Sequence, residues 1–177
     1  MNATSTLVPP SATAPAPPTA AALRACMSRF ATGVTVVTYA GDEGPRGATM
    51  NSFTSVSTAP PLVLVSVSRQ ARCHDQLLDR PFCVNILGAE QEPLAMRFAG
   101  APTTAVPSWS PHARVPRLAN PLAWVECAPW RSYEGGDHTL VIGRVTALGH
   151  RDGDALTYVW SRFGTAAEAA EGLEHLL

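Results

Sequence analysis

The sequence predicts a mainly β domain, a barrel of short strands with flanking helices, and three observations predict it. β-branched and apolar runs recur at short spacing, clusters of Gly, Pro, Asp and Ser punctuate them, and few stretches show helical periodicity. A doubly wound parallel sheet would instead alternate strand and helix throughout. The 177 residues suit one core.

From the N-terminus, residues 1–18 are mostly Ala, Pro, Thr and Ser, with few side chains large enough to offset the entropy of ordering them. They are expected to form a disordered tail, leaving one domain over 19–177. Thr19 is placed to cap a helix in which Leu23, Met27 and Phe30 recur at helical spacing, ending near Gly33 and covering a sheet. VTVVTY from Val34, the turn-rich AGDEGPRG and a short strand around Ala48 to Met50 read as a hairpin. NSFTSVSTAPP reads as a polar loop, and LVLVSVS after it as a strand buried on both faces. A short helix over His74 to Leu78, the strand FCVNIL and a helix over Gln91 to Phe98 follow, with Pro93 tolerated in the first turn. Gly100 to Pro121 is Pro-rich and aperiodic, hence loop. Strands around Leu122 to Pro129, Thr139 to Leu148 and Leu156 to Trp160 complete the chain, the last two flanking the turn HRDGD.

Composition excludes several functions. A net charge of −1 and no run of like charges leave no electrostatic footprint for nucleic acid or a membrane surface. No apolar run is long enough to span a bilayer and the start lacks a signal-peptide pattern, so a soluble cytoplasmic protein is expected. Cys26, Cys73, Cys83 and Cys127 form neither CxxC nor a secreted framework and are expected to be reduced and buried. His74, His112, His138, His150 and His175 show no metal-binding spacing, so no metal is expected. The sparse charge favours oligomers. The basic residues are all Arg, which reads as the codon usage of a GC-rich genome and suggests a setting in secondary metabolism such as antibiotic biosynthesis.

Neither GxGxxG nor GxxxxGK[ST] is present, so any nucleotide must be held by another device. NSFTSVS offers small hydroxyl side chains and backbone N–H groups that can approach a planar heteroaromatic, or can bond their own backbone in a turn. Ser66, Val67 and Ser68, followed by Arg69 and Arg72 at a helix entry, can converge on phosphate oxygens, although a lone Arg is more often a surface charge. GGDH, Gly135 to His138, is either a sharp turn with room for a ring or an ordinary hairpin turn.

In order, FATGVTVVT, GATMNSFTSVSTAPPLVLVSVSR, FCVNIL and GGDHTLVIGRV resemble the short-chain NAD(P)H:flavin reductases, the small components of two-component flavin monooxygenases. The resemblance spans about Ala21 to Gly164. It implies a homodimeric, FMN-binding split β-barrel that uses NADH to reduce FAD or FMN, with FAD slightly preferred and the choice between them left open, and supplies free reduced flavin by diffusion to a monooxygenase. It places the flavin ring against Thr49, Met50, Asn51 and Ser52, with Ser55 as a further contact. Its phosphate falls at Ser66, Val67, Ser68 and Arg72, and Asn85 is an additional cofactor candidate. Gly136, Asp137 and His138 fall on the nicotinamide side, with His138 as the catalytic contact and Asp137 orienting it. Tyr158, Trp160, Arg162 and Phe163 resemble the family's aromatic and basic end, which packs at the dimer interface or near the flavin. Two rivals are a flavin-binding oxidase on the same barrel, akin to pyridoxamine-phosphate oxidase, and a hydrolase using Ser52, His138 and Asp137. The hydrolase lacks a GxSxG string.

Overall fold

The computed structural model describes residues 16–166. The expected tail falls almost wholly on residues 1–15, outside the described residues, as does His175. Helix α1 (Ala20–Met27) starts as expected, the Thr19 hydroxyl accepting from Ala22 N at 3.2 Å. It stops sooner than expected and buries none of its residues among those described. Its residues are all exposed, with Leu23 at 56%, Met27 at 55% and, just beyond, Phe30 at 66%. The chain must leave the helix early because β1 (Thr32–Gly33) already pairs with Tyr158 and Thr157.

β2 (Thr35–Gly41) and β3 (Gly44–Met50) form the expected hairpin, tightened to a two-residue turn at Asp42 and Glu43. The stretch expected to be a loop contains a strand, β4 (Thr54–Thr58), paired with β5 (Pro61–Ser68) through a bulge between Ser55 and Ser57. β5 is not buried on both faces: Val63, Val65 and Val67 are buried while Leu62, Leu64, Ser66 and Ser68 are half-buried. α2 (His74–Asp79), β6 (Phe82–Ile86) and α3 (Glu92–Phe98), with Pro93 in the first turn of α3, lie as expected. β7 (Ala123–Gly135) and β8 (His138–His150) run longer than expected and join through Gly136 and Asp137. β9 (Leu156–Val159) is followed by an unexpected β10 (Arg162–Thr165).

The strands form a seven-stranded antiparallel sheet, in the order β3-β2-β6-β7-β8-β5-β4, and a three-stranded sheet, β1-β9-β10. The larger sheet curls, because Val37 and Tyr39 of β2, Phe82 and Val84 of β6, Val141 of β8 and the β5 valines share one core with Leu77 of α2. Its end strands β3 and β4 are not paired with each other. On the other face of β2, Val36 joins Val34, Leu87, Ala95, Leu118 and Leu156 in a second core under α3 and the smaller sheet. β2 is therefore a partition, buried on both sides from Thr35 to Tyr39. No described helix is long and apolar enough to cross a membrane.

Candidate functional site

The curl brings three of the sequence segments to one end of the sheet. β3 ends at Met50, and Ser52 beyond it folds onto β5: its Oγ donates to Ser66 O at 2.8 Å and accepts from Ser66 N at 3.1 Å. Two residues on, Ser68 stands opposite His138 in the β5–β8 ladder, and Arg69 N donates to Asp137 O at 3.0 Å. Residues directly opposite in an antiparallel pair share a face, so Ser66, Ser68 and His138 project on one side. Arg69 also pairs with Glu134 at 3.1 Å, tying the segment after β5 to the β7–β8 hairpin.

That hairpin has the two-residue form expected where a positive φ is supplied, and Gly136 supplies it at +69° with nothing within 4 Å of where a Cβ would stand. His138 Nδ1 meets Asp137 Oδ1 at 2.8 Å, and this bond, then the imidazole's charge, holds the Asp137 carboxyl below its ordinary range. The imidazole stays 40% exposed, oriented but accessible.

From Ser68 the chain turns, Ala71 N donating to Ser68 O, and carries Arg72 to the rim of a groove of about 810 Å³. Ala48, Ala71, Arg46, Arg72, Arg97, Phe98 and Trp109 line it. Close approach of Phe98 to β3 needs Gly47, where a Cβ would meet the Phe98 ring at 3.1 Å. Arg46, Arg97, Phe98 and Trp109 were missed in the sequence, since they come from β3, α3 and the loop and carry no local motif. A smaller cleft of about 220 Å³ joins Thr49, Met50 and Asn51 to Val34, Tyr158 and Phe163. The C-terminal aromatics therefore reach the β3 end, Tyr158 and Phe163 packing at 5.3 Å. A cleft of about 340 Å³ beside Arg117, Trp124 and His150 holds none of the expected residues.

Four expected residues play other parts. Asn85 is fully buried and satisfied internally: its Nδ2 donates to Val36 O at 2.8 Å and Thr38 Oγ1 at 2.9 Å, and its Oδ1 accepts from Leu118 N at 2.9 Å. It holds the loop and leaves no atom for a ligand. The Val67 side chain is 1% exposed in the inner core, so only its backbone faces the site. Ser55 stands opposite Val63, on the other face of the sheet from Ser66 and Ser68, and is not brought to them. Thr49 Oγ1 donates to Ala95 O at 2.6 Å, fastening β3 to α3.

The rival hydrolase triad is not assembled, because Ser52 gives its proton to Ser66 O rather than to His138. Nor do the three buried thiols offer nucleophiles. Burial, with Glu126 adding to it, pushes Cys83 and Cys127 up to about 12 and burial raises Cys73; Cys26, expected to be buried, is exposed on α1.

The donors present fit a flavin nucleotide. Arg72 and Arg97 have no ion-pair partner among the described residues, leaving two guanidiniums beside small residues for phosphate oxygens, while the β3 end offers Asn51 and a partly apolar cleft for a ring.

Residues 27–167 match the flavin reductase like domain. The chain belongs to the flavin reductase family. An NADH-dependent FAD reductase of Streptomyces globisporus is 42% identical over 161 residues, 85% of this chain and 88% of that protein. Flavin reductase PheA2 superposes with a TM-score of 0.79 at 34% identity, covering 83% of this chain and 97% of its own. The styrene monooxygenase flavin reductase of Pseudomonas putida superposes with a TM-score of 0.75 at 36% identity, covering 81% and 95%.

Proposed function

We propose that this flavin reductase family member is a cytoplasmic, homodimeric split β-barrel that oxidises NADH, reduces FAD or FMN and releases the reduced flavin to a monooxygenase. The convergence of Ser52, Ser66, Ser68 and His138 at one end of the sheet carries the reading. Relatives named as an NADH-dependent FAD reductase and as the flavin reductase of styrene monooxygenase support it.

When bound, flavin and NADH supply the hydride acceptor and donor themselves. The chain therefore needs no nucleophile and works by placement. Met50 to Ser52 and the backbone of Ser66 to Ser68 would hold the ring side, Arg72 would hold phosphate, and the imidazole of His138, fixed by Asp137, would face the nicotinamide. Gly136 leaves space beside them.

Steady-state NADH oxidation with FAD, FMN and riboflavin, repeated with NADPH, tests this. Oxidation that needs added flavin and prefers NADH is expected; none with any flavin refutes the reading. Flavin that copurifies in stoichiometric amount and is never released as reduced flavin refutes the transfer to a partner.

A further inference from the structure

We propose that His74 is a positioning residue for the flavin phosphate: by binding Thr139 it fastens the strap of residues 69–73 to the start of β8 and so fixes where Arg72 stands. The inference rests on the assignment of Arg72 to phosphate made above and names what holds that side chain in place.

The strap is tied at both ends to residues 137–139. At its beginning Arg69 N donates to Asp137 O at 3.0 Å, and the Arg69 guanidinium pairs with Glu134 at 3.1 Å. At its end His74 Nε2 meets Thr139 Oγ1 at 2.9 Å. The two ties fall on either side of His138, so the strap and the imidazole assigned to the nicotinamide share one footing.

The tie through His74 is oriented from both sides. Its side chain is only 15% exposed, and Nδ1 meets Asp75 Oδ1 at 2.7 Å. A carboxylate only accepts, so Nδ1 carries a proton, and the neutral ring then accepts the Thr139 hydroxyl proton at Nε2. Thr139 is itself buried, and its hydroxyl has no other partner among the described residues.

No other side-chain hydrogen bond among the described residues joins this end of the strap to β8. Cys73 and Ala71 pack against the inner core, which sets the depth of the strap but not its position along β8, since apolar contact has no preferred direction. α2 begins without a side-chain cap. Arg72 is exposed and makes no ion pair among the described residues, so its guanidinium goes where the strap carries it. A bond that only steadied the core would serve every flavin alike. One that positions Arg72 serves the phosphate.

Quenching of flavin fluorescence by the full-length chain, without NADH, gives Kd for FMN and for riboflavin, which has the same ring and no phosphate. His74→Ala is expected to weaken FMN about fivefold, the loss of one hydrogen bond, and to leave riboflavin within about twofold. Thr139→Val, which removes the other partner at nearly the same volume, is expected to do the same, and His74→Gln, whose amide reaches Thr139, to restore FMN affinity. In a chain that already carries Arg72→Ala, adding His74→Ala is expected to change FMN affinity no further. Equal weakening of FMN and riboflavin, a lowered midpoint of urea unfolding with both affinities unmoved, or weakening that persists in full beside Arg72→Ala overturns the proposal. Arg72→Ala that leaves FMN affinity intact overturns the phosphate assignment with it. FMN affinity that falls with Arg72→Ala but not with His74→Ala overturns this inference alone.

Discussion

The two faces of β2 and β6 are both buried, yet they are built of different chemistry. On the inner face Val37, Tyr39, Phe82 and Val84 pack among the β5 valines, Leu77 and Cys127. On the outer face Val36 joins a second apolar core with Leu87, Ala95, Leu118 and Leu156. Beside it Thr38 and Asn85 hold the loop before β7 through directional bonds: Leu118 N donates to Asn85 Oδ1, Thr38 Oγ1 donates to Pro116 O and Asn85 Nδ2 donates to Thr38 Oγ1. Arg117 adds an ion pair to the buried Glu126 at 3.6 Å and lies over the Trp124 ring. Apolar contact is non-directional and sets how stable the sheet is. Hydrogen bonds are directional, and here they set where one loop lies. That loop carries Trp109 to the groove, so the polar face connects the fold to the site.

The largest expected effect lies on the inner face. Phe82→Ala leaves a cavity among residues that cannot collapse into it and is expected to cost about 3–5 kcal/mol in urea unfolding, with flavin affinity unchanged at low denaturant wherever the protein remains folded. Asn85→Ala comes next, at about 1–3 kcal/mol, because Leu118 N is left unpartnered in the interior. Unlike Phe82→Ala it is expected to weaken flavin binding as well, measured by fluorescence, since Leu118 holds Trp109. If both substitutions alter stability alone, the contrast between the faces fails. The smallest effect belongs to Thr38→Val, about 0.5–1.5 kcal/mol by the same unfolding measurement, as Asn85 keeps its bond to Val36 O.

This division also explains what could be read in the sequence. β2 and β6 were legible as short apolar and β-branched runs, the mark of strands buried on both faces, and α3 through the helical spacing of its buried and half-buried residues. Asn85 was misassigned because a buried polar residue within a strand and a ligand-binding one have the same local pattern; only the position of Leu118, 33 residues away, separates them. β4 was hidden for the opposite reason. As an edge strand paired with β5 alone, it leaves Thr54, Ser55 and Val56 exposed, so it has no buried period to show. α1 misled because Leu23, Met27 and Phe30 have the spacing of a buried face and yet are exposed. The GGDH turn and Arg72 were legible through resemblance. The rest of the groove was not, since Arg46 and Arg97 lie on separate elements and meet only when the sheet curls.

Anaerobic mixing of the chain with FAD and NADH, followed through the flavin absorbance, tests the central claim most directly. The parent is expected to bleach the flavin far faster than NADH does alone, and His138→Ala to slow the bleaching at least about tenfold at limiting NADH, without weakening FAD binding. Flavin that keeps its absorbance with the parent, or bleaching that His138→Ala leaves untouched, would contradict the account.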